Sequence, residues 1–221
     1  MGFGIAFRVW GDYACFTRPE MKVERVSYDI ITPSAARGII EAVYWKPSII
    51  WVIDKIHVLN EIEFTNVRRN EVQDKISTRL VKQAMKEEKG KLLYLSSNEK
   101  RQQRAGMVLK NVDYVVEAHF EMDEDPTGTD NSVEKHYNIA LRRLRKGQYF
   151  HAPYLGTREF GAKLSLIEKE NIPVSKLTGK IDLGWMLYDM TYISPENIQP
   201  QFFKAVLIDG ILDLQQVEMV R

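Results

Sequence analysis

The sequence is short of several things, and each shortage excludes something. It holds one cysteine, Cys15, and only four histidines. A single thiol excludes intrachain disulfides and cysteine-rich zinc sites, and it fits a reducing compartment. No run of about 20 apolar residues occurs, so no membrane-spanning helix is expected. The opening MGFGIAFRVWGDY has too short an apolar stretch, broken by Arg8 and Asp12, to act as a signal peptide. These absences lead to the expectation of a cytoplasmic chain with no membrane partner. Charge of one sign is also missing: 31 Lys and Arg stand against 30 Asp and Glu, a formal net charge of +1. A strongly basic nucleic-acid binder is thereby excluded, and any such site must come from local clustering.

What is present is an ordinary globular composition, 44% hydrophobic and 28% charged over 221 residues. Ile5 to Trp10 reads as a strand. Thr32 is a candidate N-cap with Pro33 at the first helical position, opening a helix Pro33–Trp45 with an apolar stripe at Ala36, Ile39, Ile40 and Val43. Pro47 stops it by pushing Lys46 toward extended backbone. SIIWVIDKIHVLNEIEF follows as a strand. The polar, charge-mixed block 66–106 is expected to be an exposed helical insertion, with Leu92 to Leu95 its only strongly apolar patch. AGMVLKNVDYVVEAHFEM reads as strand material, alternatively a hairpin. DEDPTGTDN is an acidic turn-rich loop. A helix and then a glycine-punctuated loop running into a strand complete the order strand, helix, strand, strand, helix, strand. That order is the ferredoxin-like (RRM-like) βαββαβ pattern, an α+β fold with two helices on one face of a four-stranded sheet. Beyond about Gly161 the periodicity is strand-like, and Asp209-Gly210 between apolar runs is a two-residue hairpin signal. The expected division is a ferredoxin-like domain, 1–160, and a small C-terminal antiparallel sheet, 161–221.

The stretch NSVEKHYNIALRRLRKGQ carries most of the chemistry. At about 100° per residue, Val133, Tyr137, Ala140, Leu141 and Leu144 form one buried stripe. Lys135, Arg142 and Lys146 line the opposite side, with His136 and Arg143 on a flank. Asn131 or Ser132 is expected to cap, and Glu134 is placed for a capping box with Asn131. Lys135 and a protonated His136 in the first turn oppose the helix dipole unless an anion binds there, and helix N-termini are natural phosphate sites. The same dipole favours a neutral His136 fit to take a proton. A basic helix face is also commonly just a solvated face, and periodicity leaves both readings open. Tyr44 and Arg37 sit seven apart on one edge of the first helix. A tyrosine there is usually a core-edge aromatic, and its ordinary pKa near 10 makes it a poor base unless a cation lowers it. In YLGTREFGA, Gly156 and Gly161 flank Arg158, either letting backbone approach a phosphate or making a plain turn. GFGIAF is only weakly similar to an RNA-recognition-motif strand, and it stands on the wrong strand. His57, His119 and His151 fall at no metal-ligand spacing, and EMDEDPTGTD lacks the order of a calcium loop. No metal and no cofactor are expected.

Taken together, GDYACFTRPEMKVERVSYDIITPSAARGIIEAVYWKP, VRRNE, EKHYNIALRRLRKG and YLGTREFGA resemble the repeat-processing CRISPR-associated protein of type I-C systems. This is the Dvulg subtype within the repeat-associated mysterious protein superfamily. The similarity covers most of the chain and is weakest in the last forty or so residues. The resemblance implies metal-independent cleavage of precursor CRISPR RNA at the base of the repeat hairpin, with the product kept in the interference complex. The family's catalytic residues fall on Tyr44, Lys135 and His136, and its glycine-rich loop falls on YLGTREFGA. RNA-binding roles are expected for Arg37, Lys46, Arg142, Arg143, Arg145, Lys146, Gly156, Arg158 and Gly161. Expected partners are repeat and guide RNA and the backbone and large subunits of the complex. A non-catalytic guide-holding subunit and a general binder that also grips duplex DNA are the alternatives.

Overall fold

The computed structural model describes residues 4–21, 23–86, 94, 96, 98–122, 132–194, 197–215 and 217–220. The elements in order are β1 (Ile5–Ala14), α1 (Pro33–Val43), β2 (Ile49–Val58), β3 (Glu63–Val72), α2 (Thr78–Lys86), β4 (Arg101–Met122), α3 (Val133–Arg145), β5 (Lys163–Ile167), β6 (Lys180–Ser194), β7 (Asn197–Ile208), β8 (Ile211–Asp213) and β9 (Met219–Val220). This is an α+β chain built on one large antiparallel sheet. Its strands run in the order β5-β1-β4-β2-β8-β7-β6, with β3 added to β4 and β9 to β7.

Alternation decides which face is covered. Ile5, Phe7 and Val9 of β1 and Tyr114, Val116 and Phe120 of β4 enter one core together with Ala36, Ile39, Ile40 and Val43 of α1 and Ala140 and Leu144 of α3. The intervening Ala6 and Val115 make only a small cluster with Leu59. The Thr32 side chain accepts from Ala35 N at 3.2 Å, and Pro33 opens α1, as the sequence indicates. α1 and α3 touch each other over the sheet.

Three expectations about elements change. The two ends of the block 66–106 form a ribbon, β3 pairing with the first half of β4 from Glu63↔Lys110 to Val72↔Arg101, and the expected exposed helix is present between them as α2 alone among the described residues. Beyond the buried Val108 and Leu109, both strands alternate between half-covered and exposed residues, so no apolar period marks that part as strands. Of Leu92 to Leu95 only Tyr94 is among the described residues, and DEDPTGTDN also lies outside them. Second, AGMVLKNVDYVVEAHFEM is strand as expected, and it is one strand throughout rather than the alternative hairpin. Asn111, at φ 53°, takes up the irregularity where β4 exchanges β3 for the central sheet. Third, the strands beyond Gly161 make no sheet of their own, because β5 pairs with β1 and β8 with β2. The Asp209-Gly210 turn does form, with both residues at positive φ between β7 and β8; its neighbour β8 then finds the open edge of β2 and makes the sheet continuous.

Candidate active site

Two helix ends meet in one place. α1 stops at Val43, and Tyr44 takes extended backbone, φ −151° and ψ 119°, while its N–H still bonds Ile40 O at 2.9 Å. The Tyr44 carbonyl accepts from Trp51 Nε1 of β2 at 2.8 Å. The residue is thus held from both sides and its ring is directed inward, 2% exposed. On α3, Ser132 is the N-cap; its hydroxyl accepts from Lys135 N at 3.2 Å. Asn131 is outside the described residues, and with Ser132 as cap, Glu134 stands at the second helical position, one short of a capping box.

The helix face also differs from the expected wheel. His136, Ala140 and Leu144 are the buried positions of α3, while Val133, Tyr137 and Leu141 only flank the core. His136 is therefore directed inward and 4% exposed. Its Nδ1 lies 2.8 Å from the Tyr44 hydroxyl, a hydrogen bond between residues 92 apart in the chain. The two rings are 6.0 Å apart between centroids, and Phe120 of β4 packs edge-on against His136 at 6.3 Å. Trp51 packs in turn on Phe120 at 5.3 Å. Arg143, two turns along α3, donates Nη1 to Val43 O at 2.7 Å and sets its guanidinium carbon 5.3 Å from the centre of the Tyr44 ring. Tyr44 is thus bracketed by His136 and Arg143.

Burial pushes the Tyr44 phenol above its ordinary pKa, against the opposing fields of Arg143 and Lys135. The phenol keeps its proton at neutral pH. Lys135 itself is exposed. The arrangement holds a hydroxyl and an imidazole in fixed register beside two cations, which suits proton transfer at a phosphodiester.

A family model described as "CRISPR-associated protein (Cas_Cas5)" matches residues 4–215. A relative from Mannheimia succiniciproducens, the CRISPR pre-crRNA endoribonuclease Cas5d, is 51% identical over 214 residues, covering 95% of this chain and 94% of its own. The chain belongs to the CRISPR-associated Cas5 family. A second Cas5d pre-crRNA endoribonuclease, from Thermus thermophilus, is 44% identical over 199 residues, 89% of this chain and 77% of its own. Among solved structures, one described as a CRISPR-associated protein is similar with a TM-score of 0.70 at 27% identity, over 96% of this chain and 92% of that one. A chain of a CRISPR RNA-guided surveillance complex shares the fold, with a TM-score of 0.52 at 12% identity, over 98% of this chain and 89% of that one.

In this Cas5 chain the candidate residues divide into those the fold gathers and those it does not. Tyr44 contacts both His136 and Arg143, with Lys135 beside His136 in the first turn of α3. Lys46 is exposed two residues past Tyr44 at the end of α1, and Arg142, Arg145 and Lys146 are exposed at the far, C-terminal end of α3. Arg37 is elsewhere: its guanidinium is held in a two-bond pair by Asp189 of β6, with Glu41 3.5 Å from Nε. The glycine-rich loop is built for packing. Gly156 has φ +83°, and a Cβ there would sit 2.0 Å from Cys15 O. Leu155 beside it is buried and exchanges backbone bonds with Cys15 and Phe160. Gly161 bridges to Tyr154, and Arg158 is exposed. Sequence reasoning missed Trp51 and Phe120, the aromatic supports behind Tyr44 and His136; the available signal was their alternate-position placement on strands facing the helices.

Proposed function

We propose that this Cas5 family member is the pre-crRNA endoribonuclease of a type I-C CRISPR system, which binds the repeat hairpin, cleaves it without a metal ion and stays with the guide in the interference complex. The observation that carries the reading is the 2.8 Å bond between Tyr44 and His136 Nδ1, next to Lys135 on an N-capped helix end. The relatives at 51% and 44% identity, both CRISPR pre-crRNA endoribonucleases, support the activity.

The reaction is a transesterification. The RNA's 2′-OH attacks the adjacent phosphorus as its proton leaves to a base. The bond from phosphorus to the 5′-oxygen breaks, and that oxygen takes up a proton, giving a 2′,3′-cyclic phosphate and a 5′-OH. Tyr44, kept protonated by burial, is unsuited to be the base. Its oxygen accepts from Nδ1–H, which fixes the imidazole ring and leaves Nε2 free to take the proton of the 2′-OH and to pass it to the leaving 5′-oxygen. His136 is the proton-transfer group. Lys135 and the first backbone N–H groups of α3 stabilise charge growing on the phosphoryl oxygens. Lys46, Arg142, Arg145, Lys146 and Arg158 supply exposed charge for the RNA backbone. We read the β5-β1-β4-β2 order as the ferredoxin-like unit, with the β6–β9 strands as an addition to its β2 edge through β8.

Shielding favours one second reading: with Tyr44 at 2% and His136 at 4% exposure, RNA reaches the pair only at an edge. A guide-holding subunit that never cuts fits that geometry. Single-turnover cleavage of the cognate repeat RNA in EDTA, beside the same RNA carrying a 2′-deoxy sugar at the cut site, separates the two. Cleavage of the first and not the second is expected. Binding of both with no scission of either would leave the guide-holding reading, and a requirement for added divalent ion would overturn the metal-free mechanism.

A further inference from the structure

Beside the Tyr44–His136 pair the surface carries three aromatic side chains that the core does not use. Trp45, Tyr149 and Phe150 are 55%, 54% and 88% exposed. Leaving a phenylalanine in water forgoes roughly 1.5–3 kcal/mol of burial, yet the Phe150 backbone is held in place. Gly147, at φ +60°, turns the chain off α3, Gln148 N bonds Arg143 O at 2.8 Å, and Phe150 N bonds Ala42 O at 2.8 Å. The loop is therefore tied to both helices within two residues of Tyr44, and the Phe150 ring is displayed from that anchor with the His151 ring edge-on at 6.1 Å. Next to Tyr149 is a cavity of about 260 Å³ with apolar walls from Val43, Leu144 and Leu164 and with Arg143, Gln148 and Lys163 at its polar parts. It is smaller than the roughly 300–1,000 Å³ of drug-sized pockets, the scale of a single planar ring system.

We infer that the 149–151 loop is a stacking platform for an unpaired nucleobase adjoining the repeat hairpin, with Phe150 as the stacking residue. The inference rests on the endoribonuclease reading and adds to it the group that seats the unpaired flank. Exposed aromatics among cations are how proteins hold single-stranded nucleic acid, because every base offers a face and stacking tolerates any sequence. RNA hairpins are also recognised through their unpaired ends. Aromatic residues mark protein interfaces too, but those are depleted in lysine, and here exposed Lys46 follows Trp45, exposed Lys146 stands three residues before Tyr149, and exposed Lys163 lines the same cavity as Tyr149.

The test compares the parent chain with Phe150→Ala and Phe150→Trp on two RNAs, the repeat hairpin with its unpaired flanks and the hairpin alone. 2-Aminopurine at each flanking position reports stacking by its fluorescence. For the flanked RNA, Phe150→Ala is expected to weaken binding roughly tenfold to a hundredfold and to relieve the quenching at one position. Phe150→Trp restores both, and the bare hairpin is bound alike by all three. Equal loss on both RNAs, or no change in binding or quenching, overturns the inference and leaves the aromatic face to a protein subunit. Failure of the parent to bind or cut either RNA would instead overturn the endoribonuclease reading, and the inference with it.

Discussion

Tyr44 illustrates how little a residue's chemistry is fixed by its type. Next to two cations it resembles an activated base, but burial outweighs Arg143 and Lys135 and moves its pKa up. The rate of cleavage should therefore show no ionisation of Tyr44 below about pH 10. Tyr44→Phe removes one hydrogen bond of about 1 kcal/mol and is expected to slow single-turnover cleavage five- to tenfold with the shape of the pH profile kept; loss of an alkaline limb in that variant would make the phenol the base after all. His136→Ala should lower the rate by roughly 10²–10⁴ while hairpin affinity, measured by filter binding, changes little. The candidate triad came from the resemblance that the local stretches EKHY and VYWKP carry; periodicity alone left Tyr44 a core-edge aromatic and the helix face open. That Tyr44 bonds His136, and that Arg37 belongs to Asp189, were not legible in the sequence, since those partners stand 92 and 152 residues apart. His136 was placed on a flank because an ideal wheel does not say which way a helix is rolled on its sheet.

Elements with a local signature were the readable ones. Thr32-Pro33 opens α1, and Asp209-Gly210 makes the β7–β8 turn. Beyond Thr65↔Val108 the β3–β4 ribbon left no such mark, because strands with no core face have no reason to alternate apolar and polar residues. The glycine-rich loop is the instructive mixed case. Gly156 and Gly161 look equivalent in YLGTREFGA, yet only Gly156 needs positive φ and close contact with the Cys15 carbonyl, whereas a Cβ at Gly161 meets nothing within 4 Å. Gly156→Ala is expected to destabilise by about 2–4 kcal/mol, and at this size a loss of 1 kcal/mol lowers Tm by about 2–4 °C. Gly161→Ala should melt with the parent. Equal melting of the two variants would show that the loop yields, and that the β1 end does not depend on it.

At the scale of the molecule, buried tyrosines set the alkaline limit. Burial drives Tyr114 far above its ordinary pKa and raises Tyr28, Tyr44 and Tyr188 as well. In the unfolded chain each ionises near 10, so above that pH the unfolded state releases protons that the folded state keeps. Stability is whole below about pH 10 and falls as pH rises further. Urea midpoints should hold from pH 8 to about 9.5 and then drop by pH 10.5, and by less in Tyr114→Phe. The near-zero net charge has its own consequence: RNA affinity must come from the local cations, so Arg145→Ala with Lys146→Ala should lower the slope of log affinity against log salt by about 1–2. The β3–β4 ribbon carries a further one. Its strands stay in register to Val72↔Arg101, and Gln73 N still bonds Lys100 O at 2.9 Å. An Asn-Gly turn can therefore replace 74–99 without disturbing Arg69, which pairs with Glu159, or Glu71, which pairs with Arg104 across the ribbon. The ribbon end is in that sense a cassette: a piece of the chain exchangeable at a hairpin junction, through which a different hairpin could be spliced onto the same nuclease.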